Sequence, residues 1–116
     1  MSKLVAMAIP IIPGKEGEWK EWLNELRTNR HDEFEASRDA MKVHERTFLQ
    51  HTPMGDMVIV TLEGEDPAAA FAKFAHGDDA FTKWFVAHVQ NVHGIDLANM
   101  PEAPMPELVM DSENRY

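Results

Sequence analysis

The chain has 116 residues, 44% of them hydrophobic and 27% charged, a balance that fits one compact domain with a real core and excludes a disordered or collagen-like polymer. Its 11 Lys and Arg stand against 20 Asp and Glu, and the formal net charge of −9 argues against nucleic acid and membrane as partners. With no cysteine there are no disulfides, thiolate metal sites or cysteine nucleophiles, and with no long h-region before Pro10, Pro13 and Gly14 the expected compartment is the cytoplasm.

Residues 3–12 form an apolar run that predicts a strand covered on both faces, with Pro10 marking an edge or bulge. Pro13-Gly14 supplies a turn. Over residues 15–41, Trp19, Trp22, Leu23, Leu26, Phe34 and Met41 recur at spacings of three and four, predicting one long amphipathic helix, straight or kinked. Residues 43–52 and 57–63 read as two strands of a hairpin joined by Pro53-Met54-Gly55-Asp56. Asp66-Pro67 caps a short helix that runs to Gly77, and Asp78 or Asp79 caps a second helix ending near Gly94. Residues 99–106 hold three prolines and predict a connector to a last strand at 107–110, followed by a polar tail.

The order strand, helix, strand, strand, helices, strand predicts an α+β fold of ferredoxin-like βαββαβ type, with a four-stranded antiparallel sheet in a single domain over residues 1–116. Helices would cover one face of that sheet. Because the first and third strands are apolar on both faces, the open face needs cover as well, and a second copy of the chain is the simplest one. The expected partner is therefore the chain itself, as a homodimer through the open sheet face.

The element order and the phrases IPIIPGKEGEWKEWLNEL, FLQHTPMGDMVIV and FTKWFVAHVQNVHGIDL resemble small bacterial members of the dimeric α+β barrel superfamily. That superfamily includes cofactor-independent monooxygenases, haem-dependent enzymes, small isomerases and ligand-binding regulators, so the resemblance implies a dimeric barrel without choosing a reaction. No catalytic signature of these groups matches in position, and no residue role is carried over.

Candidate chemistry lies on the helices. Advancing about 100° per residue from Leu26 places Arg30 at about +40°, Glu33 at about −20° and Ser37 at about +20°, inside the stripe that faces the core. A buried charge needs a partner, and the i, i+3 spacing lets Arg30 pair with Glu33. His88 falls among Phe81, Trp84, Phe85 and Val92, which predicts a largely buried and neutral imidazole. These residues are expected to converge between helices and sheet in a pocket walled by Trp22, Phe34 and Trp84.

Arg30 and Ser37 would bind, together with that wall, a small aromatic or carbonyl/carboxylate ligand, and His88 or Glu33 would serve as base. Cofactor-independent monooxygenation or isomerisation is chemically open to such a set, with no cofactor and no metal expected, while a haem axial ligand from His88 stays open. The alternative is a non-catalytic structural or ligand-binding dimer in which Arg30–Glu33 is a buried ion pair and His88 a satisfied core histidine.

Overall fold

The computed structural model describes residues 3–99 and 106–113. Strand β1 spans Lys3–Pro10, helix α1 Glu16–Arg27, helix α2 His31–Met41, strand β2 Val43–Thr52 and strand β3 Gly55–Gly64. Helix α3, Pro67–Ala75, and helix α4, Ala80–His93, follow, with a single 3-10 turn at Leu97–Asn99. The fold is mixed α+β around one three-stranded antiparallel sheet of order β1-β3-β2.

The hairpin forms where turn chemistry placed it. Thr52 pairs with Gly55 across Pro53-Met54, and Gly55 sits at φ +123°, where an L side chain is strained. The Thr52 hydroxyl locks the corner by donating to the Gly55 carbonyl at 2.6 Å while accepting the Met54 N–H at 3.1 Å. The two late helices begin on their expected caps: Asp66 accepts the Ala69 N–H, and Asp79 accepts both the N–H and the hydroxyl of Thr82.

Two sequence expectations are corrected. The long helix is broken into α1 and α2 at residues 28–30, where the Thr28 hydroxyl donates to the Asn24 carbonyl at 2.7 Å and the Arg30 N–H skips back to Glu25 O at 2.8 Å. Thr and Asn hold helix poorly because their short polar side chains compete for backbone groups. The predicted strand at 107–110 is not formed, so the sheet has three strands among the described residues rather than four. Leu108, Val109 and Met110 are 52%, 78% and 81% exposed there, because a short apolar run holds a strand conformation only against a neighbour that accepts its N–H and C=O groups. Of the predicted connector at 99–106, residues 100–105 lie outside the described residues.

Register sorts the sheet into two unlike faces. Val5, Met7 and Ile9, with Val58, Val60 and Leu62 opposite them and Glu45, Thr47 and Leu49 beyond, face the helices. Leu62, Val58 and Val43 are buried beneath them. The reverse face carries Leu4, Ala6, Ala8, Ile59 and Phe48, joined by the Arg46–Glu63 pair at 3.4 Å. Among the described residues no helix covers that face, and Leu4 and Phe48 are about half exposed on it.

Candidate functional site

Helices α1 and α4 pack over the sheet through Trp19, Trp22, Leu26, Phe85, Val89 and Val92, and α2 adds Phe34 and Met41. The rings interlock edge to face, Trp22 on Phe85 at 5.0 Å and Phe74 on Phe85 at 5.4 Å between centroids. This layer does not close completely on the strands. Between them lies a cavity of about 620 Å³, with Met7, Ile9, Val58, Val60 and Leu49 as its floor. Trp19, Trp22, Leu23, Phe34, Phe71 and Phe85 form the opposite wall. The size and the largely apolar, aromatic lining are those of a small-molecule site.

One end of the cavity is polar because α2 carries Arg38 inward, one turn after Phe34. Arg38 is 5% exposed, and its Nε donates to Glu45 Oε1 at 2.7 Å. Nη1 donates to the Ser37 hydroxyl at 3.0 Å. The rings of Phe34, Phe74 and Phe85 stand 4.5 to 4.7 Å from the guanidinium carbon, so the cation is held by aromatic faces as well as by the carboxylate. With Glu45 as partner the pair is neutral overall.

The other end is polar because the last residue of α4, His93, turns toward the end of β1. Its Nδ1 donates to the Pro10 carbonyl at 2.8 Å, which leaves Nε2 as the unprotonated nitrogen of a neutral ring. Burial pushes the His93 pKa below its ordinary value, with the Pro10 bond acting weakly the other way. Glu45 stands opposite Leu62 and so opposite Val5, five residues from Pro10 and two strands away. At the spacings of a pleated sheet the two polar ends are therefore anchored roughly 20 Å apart.

The residues singled out from sequence do not converge in this cavity. Trp22 and Phe34 line it; Arg30, Glu33, Ser37, Trp84 and His88 do not. Arg30 lies over the outer face of Trp84 at 4.2 Å, and it pairs with Glu25 at 3.7 Å and with Glu33 at 3.3 Å. Its side chain is 34% exposed and that of Glu33 51%, so the pair exists but is not buried. His88 is half-buried rather than central to the core: Nδ1 donates to the Trp84 carbonyl at 2.9 Å, while the ring stacks on Trp22 and lies tilted against Trp84. Glu33 and Ser37 border a separate cleft between α2, α3 and the start of α4.

The physical reason is the break at residues 28–30. The angular count from Leu26 assumes one continuous helix, and restarting at His31 rotates α2 so that Arg38 joins Phe34 and Met41 on the core side while Arg30 and Glu33 turn away. Sequence reasoning missed Arg38, Glu45 and His93. Glu45 was legible, since strand alternation sets it between Val43 and Leu49 on the covered face; His93 also had a signal, four residues after Val89 on the same stripe.

A family model described as a family of unknown function (DUF6176) matches residues 2–114. The chain belongs to that family. No match is found among curated proteins or among solved structures. In this DUF6176 chain no described helix is long and apolar enough to cross a membrane, and no three metal-ligating side chains come together among the described residues.

Proposed function

We propose that this DUF6176 protein binds a small aromatic or carbonyl/carboxylate molecule in the cavity between its helices and sheet. The observation that carries this reading is the cavity itself: about 620 Å³ of space is left open in an otherwise interlocked layer of aromatic side chains, with polar groups at both ends. Interiors ordinarily close to near-crystalline density, so a largely apolar volume of this size that opens to the surface leaves aromatic and aliphatic side chains for a ligand to bury. The test is thermal unfolding across a panel of aromatic acids and quinones, repeated with Val60→Phe, which fills the floor of the cavity. A ligand that raises the melting temperature of the natural chain and not of the filled variant supports the reading. No response to any member of the panel counts against it.

We also propose the ferredoxin-like homodimer of a dimeric α+β barrel. Its support is the β1-β3-β2 order with helices on one face only, and the apolar reverse face that Leu4, Ile59 and Phe48 present to water. β1 is an edge strand among the described residues, and residues 107–110 are a segment of strand character available to pair beside it on assembly. Ile59→Glu, at the centre of the open face, is expected to shift sedimentation from dimer to monomer. A natural chain that sediments as a monomer at all concentrations refutes the dimer.

His93 favours a catalytic version of the same reading. A neutral imidazole on the cavity wall, fixed through Nδ1 and with its pKa held down, offers Nε2 as a base for a C–H or O–H beside a carbonyl, the step shared by isomerases and cofactor-independent monooxygenases. In this version His93, not His88 or Glu33, is the base. His93→Gln is then expected to keep ligand binding and to abolish exchange of the ligand's acidic proton with deuterated solvent. Equal exchange in both proteins leaves the binding reading alone standing.

A further inference from the structure

We infer that the ligand is an amphiphilic monoanion whose carboxylate rests at the mouth of the cavity, on Lys20, Arg27 and His31, with its apolar body inside; this rests on the binding reading above. A residue that lines the cavity and is also exposed marks where the cavity opens, and Lys20, Arg27, His31 and Thr47 meet both conditions. Lys20, Leu23 and Arg27 stand at i, i+3 and i+7 on α1, so they form one lip, and His31 continues it at the start of α2.

Charge decides the occupant. The chain carries −9 overall, yet its cavity mouth carries two permanent cations and a histidine and no carboxylate. Neither Lys20 nor Arg27 makes an ion pair among the described residues, and His31 has only Glu35, at 3.6 Å. Glu45, the one carboxylate of the lining, is already engaged by Arg38. Arg38 in turn is a poor anchor for a ligand anion, because Glu45 neutralises it and three rings stand against its guanidinium. An anion entering headfirst would give up its water for no net charge, whereas an anion left at the lip keeps water and gains two cations.

The experiment uses two ligands of nearly equal shape, 2-naphthylacetate and 2-naphthylacetamide, titrated calorimetrically into the full chain. The acetate is expected to bind about tenfold more tightly at low ionic strength, with the difference shrinking as salt is added. In the double variant Lys20→Gln, Arg27→Gln the acetate is expected to fall to the affinity of the acetamide, which itself stays unchanged. Both positions are exposed, so the variant retains its fold, and the unchanged acetamide affinity verifies that. Equal affinities in the natural chain, or a preference for the acetate that survives the double variant, overturn the inference while leaving the cavity reading intact. Binding of neither compound counts against the cavity reading and takes this inference with it.

Discussion

The Arg38–Glu45 pair offers the sharpest test of how the cavity wall is held. Both side chains are almost fully buried, 6% and 10% exposed, and the Nε to Oε1 distance is 2.7 Å. Removing one partner strands a charge that water reaches poorly, and such losses run to about 3–5 kcal/mol. For a domain of this length, the usual unfolding entropy per residue converts that into a melting-temperature drop of roughly 12–20 °C. The two single variants should differ: Glu45→Leu leaves Arg38 against three aromatic faces that still stabilise a cation, whereas Arg38→Met leaves Glu45 with no counter-charge among the described residues. Arg38→Met is therefore expected to be the more damaging. The double variant replaces both ends with apolar side chains and should recover most of the loss.

Urea titration at one fixed protein concentration, followed by tryptophan fluorescence, yields all four stabilities and the coupling between the two positions. A fixed concentration is required because any self-association would shift the midpoint. Single variants that each cost under about 1 kcal/mol, or a double variant that merely sums them, would refute the claim that the buried charges depend on each other.

Three further outcomes follow from local geometry. The depressed pKa of His93 means that the unfolded chain takes up a proton that the folded chain refuses, so stability should fall as pH drops below about 6.5, and His93→Gln should flatten the change in urea midpoint between about pH 7.5 and about pH 5.5. Asp79→Ala removes the cap on α4 and should cost about 0.5–2 kcal/mol; because hydrogen bonds from Thr82 lower the Asp79 pKa, the natural cap should also weaken as acid protonates it, and the variant should not. Gly64→Ala would drive a Cβ into the Lys42 carbonyl oxygen at the end of β3, and a loss of about 1–3 kcal/mol in denaturant unfolding is expected; a neutral result would show that the strand end moves freely.

Local rules read along the chain reached the elements whose determinants are local. Periodicity found the helical segments, though it ran α1 and α2 together; Asp66 and Asp79 cap α3 and α4, and the turn residues 53–56 fall at the hairpin, because each depends on side chains within a few residues of one another. Alternation along residues 43–52 also sorts β2 into two faces, His44, Arg46, Phe48 and Gln50 against Val43, Glu45, Thr47, Leu49 and His51. The same rules failed where position depended on something distant. Glu45 was visible as a polar residue on one strand face, but its partner lay on a helix whose rotation was unknown.

What the sequence determined by itself, then, is the first three strands, the helical segments, their order along the chain and the apolar character of both sheet faces. Only tertiary structure decided the site. The break at residues 28–30 turned α2 about its axis, taking Arg30 out to Trp84 and bringing Arg38 in to Glu45, and packing against the end of β1 set His93 on the cavity wall while His88, stacked on Trp22, stays out of the lining. Small changes in a helix's starting point rotate every later side chain by the same angle, so three residues of non-helical backbone decide which polar groups meet. The run at 107–110 obeys the same logic in reverse: it has the composition of a strand, but a strand exists only beside another, and no sheet neighbour pairs with it here.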